Sequence, residues 1–253
     1  GRETAIQKIE WVDGWPRVVG GRQGSLEVEA PNLPEVKFAP TWPGRDDFDS
    51  EELNIHYQSL RVPLTEQMVT LKERPGFLRI YGQESLASYH TQALVARRWR
   101  SVNFDAQTSV EFKPETFQQL AGMTCIYNRD NFTFAYVTWD EELGRCIDVI
   151  GRSIKKYYAP LGGKLIKIPE DVTTVHFKVE VRGEYYQYFY SFDGVNFTAI
   201  DYKFRSGDLS DDHIQRNGGL AFFTGAFVGV TCIDMQGTHL NADFDYFSYV
   251  DKE

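Results

Sequence analysis

The sequence predicts an all-β fold, an antiparallel two-sheet β-sandwich of the jelly-roll kind. Bulky residues alternate at period two over at least eleven short segments, which is the spacing of a half-buried strand. Turn residues separate these segments and no helical stretches alternate with them, the pattern of stacked antiparallel sheets. In addition, 18 Phe, 14 Tyr and 5 Trp bring the aromatic share of the 253 residues to 15%, and such side chains favour strands, cores and sugar-stacking surfaces over surface helices.

At the start of the chain, the alternating segments Ala5–Trp11 and Pro16–Val19 flank Asp13-Gly14, a pair that tolerates the positive φ angles of a tight hairpin. An isolated two-stranded unit rarely holds in water, so this hairpin is expected to complete a sheet supplied by something else. Pro31, Pro34, Pro40 and Pro43 then fall within fifteen residues, from Ala30 to Gly44. Proline at this density keeps a backbone extended and short of donors, as in a linker. From Asp46 to Val250 short strands succeed one another, among them Phe77–Tyr81, Thr108–Phe112, Phe132–Thr138, Val175–Val181 and Tyr185–Tyr190. A second Asp-Gly hairpin is centred on Asp193-Gly194. Ser210, followed by Asp211 and Asp212, supplies the cap and early acids of one short helix.

Charge and cysteine usage exclude several classes. A formal charge of -9 with a pI of about 5.1 argues against a nucleic-acid partner, which needs a basic face. The densest basic cluster, Arg97, Arg98 and Arg100, reads as a solvated strand edge or an interface contact. Cys125, Cys146 and Cys232 lie far apart without a C-x-x-C, so zinc knuckles and an even disulfide framework are unsupported. Free buried thiols fit a reducing cytoplasm. No stretch reaches the roughly 18 apolar residues of a membrane helix, and the N-terminus carries neither a signal-peptide pattern nor an initiator Met. The expectation is a chain that begins inside a longer protein. The N-x-T sequons at Asn131 and Asn196 read as strand-edge sequence.

For hydrolytic chemistry, the strand carboxylates Glu111, Asp148 and Glu180 are candidates for a pair that must face each other across roughly 5 to 9.5 Å. Each also sits where an alternating pattern places its wet face. The run Asp46–Glu52 holds five acids in seven residues, a potential calcium donor set, although it lacks an EF-hand loop. Asp243 and Asp245, in the last strand segment, need either a metal or an arginine wherever they point inward. There is no H-E-x-x-H, no G-x-S-x-G elbow and no glycine-rich loop opening a helix, so zinc hydrolase, serine hydrolase and phosphate-binding readings fall away. In Gly225-Ala226-Phe227-Val228-Gly229 the two glycines would let the backbone arch and push Phe227 outward, with a core Phe as the alternative.

These residues also carry a resemblance. Gly1–Ile6, Glu10–Pro16, Asp46–Asp49, Arg74–Arg79, Leu94–Arg98, Phe117–Gly122, Phe223–Gly229 and Ala242–Phe247 are collinear over the whole chain with the C-terminal half of bacterial β-xylosidases of glycoside hydrolase family 43, which they resemble. That family joins a five-bladed β-propeller carrying the catalytic acids to a concanavalin A-like sandwich. The resemblance implies that residues 1–28 close the propeller, 29–45 link, and 46–253 form the sandwich. It also implies that the catalytic carboxylates lie upstream of Gly1, so this chain alone is expected to be inactive.

Carried over residue by residue, the resemblance implies that Arg2 contacts sugar hydroxyls or orients a catalytic carboxylate, as a guanidinium does well. Phe227, or else Phe223, would extend into the propeller pocket and close the far side of the xylose site. A calcium ion near the first and last strands would use Asp47 and Asp245, and no organic cofactor is implied. The expected whole is an inverting, exo-acting β-xylosidase acting on xylo-oligosaccharides and on α-L-arabinofuranosides, homo-oligomeric and cytoplasmic, without nucleic-acid or membrane partners. The rivals are a stand-alone carbohydrate-binding module and a purely structural sandwich.

Overall fold

The computed structural model describes residues 5–22, 24–29, 32, 34 and 42–252. They divide into two compact units, the larger running from Trp42 onward. Most of the expected linker, including Pro31 and Pro40, lies outside the described residues.

In the smaller unit, β1 (Ile9–Val12) and β2 (Trp15–Val18) pair antiparallel. The connecting Asp13 and Gly14 have φ of 52° and 80°, both left-handed as a two-residue type I′ turn requires. Every residue of both strands is exposed, Trp11 and Trp15 included. The hairpin therefore has no core of its own.

The larger unit is the sandwich. Its strands are β3 (Arg45–Asp46), β4 (Val69–Thr70), β5 (Leu78–Tyr81), β6 (Ala93–Arg98), β7 (Asn103–Glu111), β8 (Gln119–Asn128), β9 (Asn131–Asp140) and β10 (Gly144–Ser153). They continue with β11 (Lys156–Tyr158), β12 (Ile166–Lys167), β13 (Thr174–Arg182), β14 (Tyr185–Ser191), β15 (Thr198–Arg205), β16 (Phe227–Asp234) and β17 (Asn241–Asp251). One sheet runs β11-β10-β9-β8-β16-β6 with β12 on β10, and the other runs β15-β14-β13-β7-β17-β5-β4 with β3 on β17. The last two strands in sequence thus enter the middle of the two sheets, the non-local insertion typical of a jelly roll. Between β15 and β16 stands α1 (Asp211–Arg216), whose cap Ser210 accepts from the His213 N–H at 3.2 Å, as the sequence predicts. Among the described residues no helix is long and apolar enough to cross a membrane.

Period-two alternation delivers Met123 and Cys125 of β8, Val137 of β9 and Val230 of β16 to one inner face, and Phe177, Tyr188, Phe244 and Tyr249 to the other. Most of the largest fully buried side chains are aromatic, so the aromatic excess is chiefly core. The first sheet is also buried on its outer side, where Phe132, Phe134, Tyr136, Ile126 and Ile233 form a second cluster with Leu86. Burial on both faces explains why β9 reads as a nearly continuous apolar run.

Two local readings change, and one open alternative resolves. The Asp193-Gly194 hairpin exists, but its loop spans residues 192–197, because the Asp193 carboxylate accepts from the N–H groups of Val195 and Asn196 and pairing resumes only at Thr198. Arg97 is no solvated residue: it is 3% exposed and its guanidinium lies 4.2 Å from the ring centres of both Trp42 and Tyr249. Alternation along β6 turns it inward, and stacking between two rings substitutes for water. Asp243 takes the arginine alternative. It is 6% exposed and accepts from Arg79 Nε at 2.7 Å, Arg79 Nη2 at 2.9 Å and Arg74 Nη1 at 2.9 Å.

The core also holds a satisfied polar network. Tyr188 of β14 crosses the sandwich so that its hydroxyl accepts from the Cys125 N–H at 2.9 Å. The hydroxyls of Tyr186 and Tyr188 each lie 2.9 Å from Thr133 Oγ1 on β9.

Two predictions follow from this packing. Tyr188→Phe keeps the ring but leaves the buried Cys125 N–H without this acceptor, and is expected to cost about 1 to 3 kcal/mol in denaturant unfolding. At Asp243, burial pushes the carboxyl up, but the hydrogen bonds from Arg79 and Arg74 outweigh burial and hold it below its ordinary value. That stabilisation is complete above the usual aspartate range near about 4 and is lost as pH falls through the lowered value. Asp243→Asn is therefore expected to cost about 2 to 3 kcal/mol at pH 7 and to shrink the acid loss of stability below about pH 4, read by melts at both pH values.

Candidate functional site

The candidate site is the turn that joins α1 to β16. Ile214 of α1 and Leu209 in the turn just before it are buried in the core, which anchors this segment. The helix stops at Asn217, and Gly218 follows with φ of 77°, the left-handed residue that commonly ends a helix. The chain then presents Phe222 and Phe223, which are 59% and 48% exposed. Phe223 adopts φ of 56° and Gly225 φ of 72°. For a phenylalanine this left-handed backbone is uncommon, and the surroundings must hold it.

Three hydrogen bonds do so. The buried Tyr127, near the end of β8, accepts from the Phe222 N–H at 2.7 Å and donates its own hydroxyl to Asp211 Oδ1. The same carboxylate oxygen accepts from the Phe223 N–H at 2.8 Å. Burial, reinforced by the Asp211 carboxylate, raises the Tyr127 phenol above its ordinary value, so it stays protonated and donates. The turn closes where the Trp99 N–H donates to the Ala226 carbonyl at 2.9 Å.

The predicted site residues fall as follows. Arg2 lies outside the described residues. Phe227 opens β16, half-buried against the outer cluster, with the Arg98 guanidinium 4.7 Å from its ring centre. The expected arch needs both flanking glycines, but only Gly225 turns the chain. Gly229 sits inside β16, where a Cβ would collide with the Val95 carbonyl oxygen and the Ala96 Cα of β6. Its role is close strand approach. Sequence alone does not mark Tyr127, Asp211 or Phe222 for this site, since Asp211 reads locally as no more than an early helix acid.

The carboxylates do not form a catalytic pair. Asp148 lies on the outer side of the first sheet, where burial raises its carboxyl and the Tyr136 hydroxyl donates to it at 3.1 Å. Glu111 and Glu180 lie on the outer side of the second sheet. Glu111 pairs with Thr174 across the β13–β7 ladder, so Glu180, six residues along β13, is about 20 Å away. Glu111 accepts from Arg74 and Glu180 pairs with Lys178.

The calcium expectation meets a similar difficulty. Asp47 is exposed and accepts from Arg45 Nε at 2.6 Å, while Asp245 is half-buried in β17. Among the described residues no group of three or more His, Cys, Asp or Glu side chains converges as a metal site. Asp47, one of the two expected ligands, already accepts from Arg45, which a calcium ion would have to displace.

Comparison with known proteins gives the chain its setting. Residues 45–250 match the family described as the beta xylosidase C-terminal concanavalin A-like domain. A beta-xylosidase of Bacillus subtilis (strain 168) is 50% identical over 252 residues, covering 100% of this chain and 46% of the relative. A putative beta-xylosidase of Escherichia coli (strain K12) is 45% identical over 98% of this chain and 46% of its own length. The crystal structure of a xylan beta-1,4-xylosidase from Bacillus halodurans C-125 superposes with a TM-score of 0.91 at 37% identity, over 99% of this chain and 47% of that one. The chain thus spans about half the length of these relatives, and it belongs to the family of C-terminal concanavalin A-like domains of beta-xylosidases.

Proposed function

We propose that this chain is the C-terminal part of an inverting, exo-acting β-xylosidase that releases xylose from xylo-oligosaccharides, and that its sandwich presents the Phe222–Phe223 turn to the sugar site of the catalytic portion. The observation that carries the proposal is that turn: two exposed rings, one on a left-handed backbone, held by the buried Tyr127 and the half-buried Asp211. The exposed apolar hairpin β1–β2 supports a second part of the reading, in which residues 1–28 complete a sheet of an N-terminal β-propeller.

In such an enzyme one carboxylate activates a water and another protonates the leaving oxygen, without a covalent intermediate. In this reading both belong to the N-terminal portion, and the candidates Glu111, Asp148 and Glu180 are held by arginine, tyrosine and lysine partners. This chain contributes shape and orientation. Aromatic rings bury the apolar face of a pyranose and exclude water beside the reacting bond. Arg2 is proposed to hydrogen-bond sugar hydroxyls through its guanidinium. Between the two aromatic candidates our reading takes Phe223, whose side chain is exposed on the turn, over Phe227, which is half-buried at the start of β16. Homo-oligomerisation belongs to the same proposal, as does a reducing cytoplasmic setting, which the three buried free cysteines support.

The reading is tested in the full-length enzyme on xylobiose. Phe223→Ala is expected to lower kcat/KM about tenfold, equivalent to about 1.4 kcal/mol of transition-state stabilisation. Phe227→Ala should act mainly through melting temperature. Unchanged kcat/KM in Phe223→Ala would remove the pocket-lining role, and saturable binding of xylan by the sandwich in an enzyme whose active site is blocked would favour a binding module. Chelator treatment is expected to leave the melting temperature unchanged.

A further inference from the structure

We propose that Tyr127 and Asp211 are positioning residues for sugar hydrolysis: together they fix the backbone of Phe222 and Phe223 so that the Phe223 ring is pre-set for the substrate. This rests on the reading that Phe223 lines the pocket, and goes beyond it by naming the groups that set the ring's place.

The network runs in one direction. The Phe222 N–H donates to the Tyr127 oxygen, the Tyr127 hydroxyl donates to Asp211 Oδ1, and the Phe223 N–H donates to that same oxygen. Two successive N–H groups are therefore read by a phenol and a carboxylate that belong to different elements, β8 and α1. Both supports are rooted in the core. Tyr127 is 3% exposed and belongs to the main cluster, and Asp211 opens a helix whose Ile214 is fully buried. On the other side of the same strand end, Asn128 Nδ2 donates to the Leu220 carbonyl at 3.3 Å, so the turn is gripped before and at its aromatic pair.

The left-handed backbone at Phe223 gives this grip a purpose. A phenylalanine leaves that region readily unless its neighbours over-determine it, and leaving it would swing the ring away from its present direction. A ring that must be in place before substrate arrives contributes to binding only when its ordering has been completed in the folded enzyme. The charged acceptor matters here, because hydrogen bonds to a carboxylate are shorter and stronger than those to neutral oxygen.

The test is a double-mutant cycle in the full-length enzyme on xylobiose, with kcat, KM and melting temperature measured for each variant. In the native background Asp211→Ala and Tyr127→Phe are each expected to lower kcat/KM about five- to tenfold, chiefly through KM. In the Phe223→Ala background the same changes are expected to cost less than about twofold, because the group they position is gone. Asp211→Asn keeps an oxygen acceptor for both donors but gives up the charge, and should recover only part of the loss. Should Asp211→Ala fail to fold, Tyr127→Phe, which removes one oxygen, and Asp211→Asn carry the comparison. Losses of equal size in both backgrounds would mark a merely structural role and overturn the proposal. If Phe223→Ala is costly while Tyr127→Phe and Asp211→Ala are silent, the positioning role alone fails; if Phe223→Ala is itself silent, the pocket reading fails and takes this one with it.

Discussion

The hydroxyl of Tyr188 reaching across the sandwich to the Cys125 N–H, with Thr133 bridging it to Tyr186, is the interaction on which the rest of the architecture depends. Apolar faces alone can slide over one another with little change in buried area. A buried hydroxyl that must meet one particular amide cannot, because each lost partner leaves a desolvated polar group. The tie fixes β14 against β8 and β9. Two residues further along the inner face of β8 stands Tyr127, and the placement of Tyr127 sets the turn at Phe222 and Phe223. A direct physical line therefore runs from core register to the exposed rings.

What could be read from sequence was whatever local chemistry decides. Asp13-Gly14 makes its turn because both residues accept positive φ, and Ser210 caps α1 because its hydroxyl reaches an N–H three residues on. Period-two alternation gave the strands and, through them, the sandwich. Long-range partners were not legible. Arg97 resembled a surface residue because neither Trp42 nor Tyr249 is near it in sequence, yet the insertion of β17 beside β7 and β5 brings Tyr249 to its guanidinium. At Asp243 the sequence is compatible with a metal or an arginine, and only the fold brings Arg74 and Arg79 beside it.

The candidate site shows the same division. Phe223 and Phe227 stood out through their glycines, and only the folded chain separates them, one ring exposed on a left-handed turn and the other half-buried at the start of a central strand. Tyr127 and Asp211 lie 84 positions apart, and nothing in either neighbourhood marks them as partners. The proposed division of labour has a physical rationale. Carboxylates that perform chemistry need matched environments, whereas Glu111, Asp148 and Glu180 are held apart by arginine, tyrosine and lysine partners, in keeping with the proposal that the sandwich shapes a site rather than reacts within it.

The central claim is that the sandwich carries a pre-set aromatic turn to the sugar of a catalytic portion. The most direct measurement is a crystal structure of the full-length enzyme with xylobiose bound to a variant lacking its catalytic acid. The account predicts the Phe223 ring in van der Waals contact with the sugar, within about 4 to 4.5 Å, on the backbone held by Tyr127 and Asp211. A Phe223 ring turned to solvent, with the far side of the sugar closed by residues of the catalytic portion alone, would contradict it.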